Sequence, residues 1–440
     1  MWVSFSTITR YAQVLLLSFA LSGGGVNLAS ASNGYISPGY GPISRQMAGA
    51  TTALAGDAFA GSSNPAKLLA AGNRTDVGVE FFMPWRKVER TGSGTPYDFS
   101  SESENWIFLI PEAAFSRRIN EKLAWGVTVY GNGGLNTEFR DTTGVPGSNL
   151  NPAMCGAAPG NFLGGCGKLG FDLMQLVVAP GVAYQALPGH TFGIAPLLAA
   201  QRFQAYGLQA VAAVSQSPSD VTNRDVDTVF GAGARIGWLG QITPALTLGA
   251  AYATRIRMQE FDKYDGLFAE GRFDVPENFN LGIAYKATPQ LTTTFDYQHI
   301  LYSQVKSLSN GVLNSFLAPP ANPLGSDTGS GFNWDDTNTY RVGVAFAVKP
   351  TLTLRGGYAY GKRPNDTDVN SMTLNLLAPN PLHQASVGFS WSPKPGQEFH
   401  MAYTVFVPGK YSGPSALFPG ATESIDPYVN AVMVAWSWKR

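Results

Sequence analysis

The stretch Thr-Tyr-Arg-Val-Gly-Val-Ala-Phe-Ala-Val-Lys at 339–349 decides how this chain must be read. Tyr340, Val342, Val344, Phe346 and Val348 fall on one side of an extended strand, because strand side chains alternate with a period of two. Thr339, Arg341, Gly343, Ala345 and Ala347 fall on the other. One face is apolar enough for lipid, and the other, an arginine among small residues, suits a lumen. The end of the chain repeats the pattern, with Tyr428, Val432, Val434, Trp436 and Trp438 against Ala431, Met433, Ala435 and Ser437. Both stretches are written for a membrane wall.

Working outward, the same alternation recurs from Arg74 to the last residues in fourteen segments, the first at 74–89 and the last at 427–438. Among the others are 171–187, 246–262 and 291–307. The connections alternate between tight turns, such as Pro188-Gly189-His190 and Thr288-Pro289-Gln290, and long loops rich in Gly, Pro, Asn and Ser. Short turns on one side and long loops on the other are the mark of a bacterial outer-membrane barrel. The expected fold is therefore all-β, a transmembrane antiparallel β-barrel of about 14 strands. A mean hydropathy of -0.03 does not oppose this, since only every second wall residue must be apolar.

The start of the chain has the form of a secretory signal: Arg10, an apolar run from Val14 to Leu21, and Ala29-Ser30-Ala31 as a small-residue cleavage site. The run falls short of the roughly 20 residues that a spanning helix needs. The expected organisation is a signal peptide at 1–31, an N-terminal hatch at 32–72 and the barrel at 73–440. The 32–72 stretch breaks the strand rhythm. It is rich in small residues and poor in charge, yet holds Tyr35, Ile36, Tyr40, Leu54 and Phe59, which suits a plug packed inside the lumen better than a solvated tail.

Net charge is +0, which gives no basis for nucleic-acid binding. The two cysteines, Cys155 and Cys166, sit in one Gly/Pro-rich stretch. In an oxidising compartment they read as a disulfide worth roughly 3 kcal/mol; a metal site is the alternative, in a stretch that lacks His, Asp and Glu. Gly231-Ala232-Gly233 with Gly237 has the wrong spacing for a dinucleotide loop, and His190, His299, His383 and His400 are scattered with no Gly-x-Ser-x-Gly context. No enzyme, cofactor or metal is expected.

Several local sequences, in order, resemble the FadL family of outer-membrane transporters for long-chain fatty acids and other hydrophobic compounds. They are the leader ending in Asn64-Pro65-Ala66; Pro111-Glu112-Ala113-Ala114-Phe115 followed by Trp125-Gly126; Gly134-Leu135 with Thr137-Glu138-Phe139; Phe261-Asp262-Lys263-Tyr264 with Gly266-Leu267-Phe268; and Tyr340-Arg341-Val342-Gly343 with Arg355-Gly356-Gly357-Tyr358. The resemblance implies a 14-stranded barrel closed by a hatch, whose Asn64-Pro65-Ala66 is the family's signature. It also implies capture of an apolar ligand by the loops, passage to a lumenal pocket, and lateral exit where the third strand is kinked. Gly131-Asn132-Gly133-Gly134 in that strand favours a bulge, since clustered glycines weaken ladder pairing. Gly131, Gly133 and Gly134 are thus the expected lateral gate.

By parity Arg235, Arg255, Arg257, Arg341 and Arg355 face the lumen, with Asp296 opposing them. One reading has them paired with carboxylates such as Asp57 and Glu80; a sharper one lets Arg341 or Arg355 meet a ligand carboxylate. The resemblance adds Arg202 as the carboxylate-binding arginine and Lys306 as a looser match. The apolar loop stretches 208–214 and 312–324, with Phe316 and Leu317, and Leu267 with Phe268, form an expected landing surface for apolar ligands. Loops packing on one another is the alternative. The expected function is uptake of hydrophobic molecules across a Gram-negative outer membrane, by a monomer surrounded by outer-membrane lipid and lipopolysaccharide. A general aqueous porin is the alternative.

Overall fold

The computed structural model describes residues 34–140, 152–380, 383–407 and 409–440; the expected signal peptide lies outside them. Fourteen long strands form one antiparallel sheet: β1 Arg74–Thr91, β2 Phe108–Arg118, β3 Leu123–Phe139, β4 Leu169–Leu187, β5 His190–Tyr206, β6 Asp227–Gln241 and β7 Leu246–Ala253. They continue as β8 Asn278–Lys286, β9 Leu291–Ile300, β10 Thr337–Lys349, β11 Leu352–Gly361, β12 Gln384–Lys394, β13 Gln397–Phe406 and β14 Thr422–Lys439. The sheet closes on itself where β1 pairs with β14, in unbroken register from Arg74↔Lys439 to Thr91↔Thr422. Closure removes the sheet edges that hydrocarbon cannot satisfy.

The alternation read from residues 339–349 is the alternation observed. Tyr340 and Val342 are exposed on the outside, while Thr339 and Arg341 are buried within. Outward Trp85 stacks on Trp106 and Tyr428 at ring distances of 6.1 and 5.7 Å, part of an interfacial aromatic belt.

Two expected strands end early. β7 stops at Ala253, and pairing with β6 resumes only at Arg257–Met258, because 254–256 bulge inward and Ile256 bridges to Val275. β9 stops at Ile300; the chain then coils through Tyr302–Gln304 and Lys306–Ser309 so that Tyr302 can turn inward against Trp334.

Residues 34–72 fill the barrel, with short helical turns at Pro42–Gln46, Phe59–Ser62, Pro65–Lys67 and Leu68–Ala71. Most of this plug is buried. Above it, at the long-loop end, an aromatic core including Tyr35, Phe171, Phe203, Phe268, Phe273, Tyr302 and Trp334 closes the mouth.

Candidate functional site

Wall glycines make room for the plug. A Cβ on Gly237 would lie 2.0 Å from Asn64 Oδ1, and one on Gly193 would lie 2.4 Å from the Pro65 carbonyl carbon. Into that recess Asn64 sets its amide: Nδ2 donates to the carbonyls of Thr52 at 3.0 Å and Trp238 at 2.9 Å, while Oδ1 accepts the Ala66 N–H. Asn64 thereby caps the turn that Pro65 opens and ties it to β6. This is a physical task for Asn-Pro-Ala that a surface turn would not require.

The lumenal polar groups hold the plug in place. Arg45 of the plug pairs with Glu80, and Glu112 accepts the Gly41 N–H at 2.9 Å. Asp296 accepts the Thr52 N–H at 2.7 Å, and Arg235 donates to the Gly61 carbonyl at 2.9 Å. Arg355 donates to Gln46 Oε1 at 2.8 Å and to Ser390 at 2.6 Å, while Gln46 Nε2 donates to the carbonyls of Phe389 and Met401. Buried polar groups left unpaired would cost about 1–3 kcal/mol each. The wall therefore grips the plug by satisfying its backbone.

These contacts show what the expected ligand arginines meet inside the protein. Arg355 is occupied by Gln46, and buried Arg341 donates to Gln298 on the neighbouring strand. Neither meets a partner carboxylate from Asp57, which instead accepts plug N–H groups at Ile43 and Phe59. Arg255 and Arg257 belong to the loop above β7, and Arg257 is exposed. Arg202 lies on the outward face of β5, between buried Gln201 and Phe203, and pairs with Asp172 at 2.8 Å. Its side chain therefore points away from the lumen. Lys306 is exposed at the start of its helical turn in the loop after β9.

The expected landing surface is largely interior. Phe268 is buried, with its ring 4.6 Å from Phe203, and Leu267 and Phe316 pack against the same core. The two apolar loops hydrogen-bond each other, Leu324 N to the Val214 carbonyl and Gln216 N to the Leu324 carbonyl. Only Leu317, 77% exposed, presents a large apolar side chain to the outside among these four. Cys155 and Cys166 form a disulfide in the loop between β3 and β4.

The third strand is where the wall departs from regularity. β2 and β3 pair only from Ala113↔Val129 to Arg118↔Ala124, and beyond that β2 stays with β1 while β3 stays with β4. The β3–β4 register shifts between Gly131 and Gly133, leaving Asn132 as an extra residue. Asn132 is buried, donating to Gln175 and accepting from Tyr40. One extra residue reverses the parity, so that Leu135 faces in and Gly134 faces out.

The freed edge of β3 is taken by the plug. Ser37 N donates to the Asn132 carbonyl at 3.0 Å, and Gly134 N donates to the Tyr35 carbonyl at 3.2 Å. A Cβ on Gly133 would sit 2.1 Å from that Tyr35 carbonyl oxygen, so only glycine permits the approach. A cavity of about 460 Å³ occupies the space between plug and seam. Its lining runs from lumenal Phe82, Leu135 and Phe406 to Leu109, Met174 and Leu176, which are exposed on the outer face. The cavity thus reaches through the wall.

Sequence reading missed three parts of this site. Asn132 was visible only as a residue among glycines. Leu377 and Ala378, which line the cavity from the loop after β11, carry no local signal. Arg86 has the inward parity that singled out Arg341, and the same alternation could have found it.

A plugged fourteen-stranded barrel with an apolar cavity opening through an unpaired seam is a channel of the outer membrane. The chain belongs to the family of outer membrane transport proteins that includes OMPP1, FadL and TodX, whose model matches residues 158–412. The toluene transporter TodX of Pseudomonas putida superposes with a TM-score of 0.67 at 16% identity, over 92% of this chain and 99% of that one. A FadL homologue of Pseudomonas aeruginosa gives 0.65 at 14% identity, over 92% and 98%. The toluene transporter TbuX of Ralstonia pickettii gives 0.61 at 19% identity, over 91% and 98%. At these identities the likeness is one of fold. No curated protein matches the sequence.

Proposed function

We propose that this chain carries hydrophobic small molecules from the outside into the outer membrane, acting as a channel and not as a catalyst. The ligand enters beneath the loops, occupies the cavity beside the plug, and leaves sideways between β2 and β3. The observation that carries this reading is the cavity of about 460 Å³ that continues from lumenal Leu135 and Phe406 to outward Met174 and Leu176. Its size falls in the roughly 300–1,000 Å³ range of small-molecule sites. An aqueous porin would need the lumen that the plug occupies. That similar folds carry toluene in other bacteria supports an apolar cargo, of which monoaromatic hydrocarbons and fatty acids are the two classes that suit this lining.

A reversible staple across the seam tests the exit. A Cβ built on Gly131 lies 2.6 Å from Ile110 Cγ2, so cysteines at 110 and 131 face each other across the gap. In cells producing Ile110→Cys/Gly131→Cys, uptake of a radiolabelled hydrophobic compound should collapse on oxidation and return on mild reduction, while each single variant stays near wild type. Full uptake through a verified crosslink would rule out lateral exit and favour release straight to the periplasm.

A further inference from the structure

We infer that Arg86 is a recognition residue for the anionic head of an amphipathic ligand, so that this cavity selects carboxylate-bearing hydrophobic molecules over uncharged ones. The inference rests on the proposed uptake function and narrows its substrate class.

Arg86 lies on the inward face of β1, beyond its last pair with β2 at Phe82↔Phe108, and lines the cavity. Its Nη2 donates to the Asn105 carbonyl at 2.6 Å, which aims the guanidinium without neutralising it. Its buried Nε has no hydrogen-bond partner; the Nε of Arg341 and of Arg355 is likewise unpaired, but neither of those lines this cavity. No carboxylate stands within ion-pair distance of Arg86 among the described residues. The carboxylate on the cavity wall, Glu80, is already held by Arg45 of the plug. A buried charge is strongly unfavourable unless paired. Lumenal arginines at membrane depth are costly and mark the path of a charged group.

The rest of the cavity supplies the tail site. Leu135, Leu377 and Phe406 line its lumenal side, and the exposed side chains of the seam continue it outward. A fork of N–H donors at one end of an apolar cavity matches a carboxylate on a hydrocarbon tail, which accepts two parallel bonds. A neutral hydrocarbon would leave the guanidinium as it stands, with nothing gained at that end.

The test compares radiolabelled palmitate with radiolabelled hexadecanol on the full-length protein purified in detergent, with heat-modifiable gel mobility reporting the folded barrel. Wild type should bind the acid about ten-fold or more tightly than the alcohol, the size of one charge-assisted hydrogen bond. Arg86→Gln should abolish that preference and leave hexadecanol binding within about two-fold. Arg86→Lys, which keeps the charge and loses the fork, should retain part of it. Equal binding of acid and alcohol by wild type overturns the inference while leaving uptake of hydrophobic molecules intact. An equal loss of both ligands in folded Arg86→Gln, or an unchanged preference, overturns it too. Binding of neither ligand by wild type would instead remove the uptake reading on which it stands.

Discussion

Two seams of this barrel are paired in inverse order to the ease of forming them. β1 and β14 come from opposite ends of the described barrel, yet pair along the whole of β1, from Arg74 to Thr91. β2 and β3 are a hairpin joined across residues 119–122, and their pairing stops at Ala113↔Val129. Loop closure favours the hairpin, since short connections lose the least entropy. The open seam is therefore no failure of folding. Pro111 has no N–H to offer, Asn132 adds a residue, and Gly133 gives its place at the edge to the plug. The comparison teaches that a wall can stay open in lipid when a second segment satisfies its backbone.

Removing that segment should produce the largest change. Deletion of 34–66 takes away the partner of the β3 edge together with nearly everything that fills the lumen. In planar bilayers the deletion variant should conduct as a stable open pore, while wild type stays closed; the β1–β14 seam should hold, because its pairing does not involve the plug. Matching conductance in the two proteins would mean that the plug does not seal the lumen. Loss of the barrel itself would mean that the two seams depend on each other.

A smaller and more local effect is expected at Gly133. Straightening β3 with a β-branched residue would at first sight close the seam, but the close approach of Tyr35 gives the opposite expectation. A valine at 133 collides with the Tyr35 carbonyl, so Gly133→Val should push the plug off the edge before it straightens the strand. Hydrogen exchange should then speed up at Ser37 and Gly134, whose N–H groups make the two bonds across this contact, with a stability loss of about 1–3 kcal/mol for the groups left unpaired. Unchanged protection at both amides would show that the bulge and the plug are independent.

The same contrast explains what could be read from residues alone. The wall is periodic, and periodicity survives in the sequence: fourteen alternating segments, their tight turns and the outward face at 339–349 stand where the alternation puts them. The plug was legible as a break in the rhythm, and Gly131 to Gly134 as a weak point in one strand. Partners were not legible. Parity tells that Arg341 and Arg355 face inward, but not that Gln298 and Gln46 already hold them, because those contacts join residues far apart in the chain. Apolar loop residues such as Phe268 carry the same letters whether they coat a mouth or fill it, and here they fill it.

The smallest effect should come from Arg202, the residue that the family resemblance favoured. Its side chain is 48% exposed on the outer face and its ion pair with Asp172 spans two outward positions. Asp172 is also bonded to Asn136, and Asn136 to Asn105, so the pair ends a polar ladder along the outer rim above the seam. An exposed pair of this kind contributes roughly 0–1 kcal/mol. Arg202→Ala should therefore shift unfolding in urea by no more than that, and should leave the affinity for palmitate and for hexadecanol unchanged in the assay that isolates Arg86. A selective loss of palmitate in Arg202→Ala would place the ligand's head at the rim instead of beside the seam. It would also make the outer face of β5, not the cavity, the place where charge is recognised.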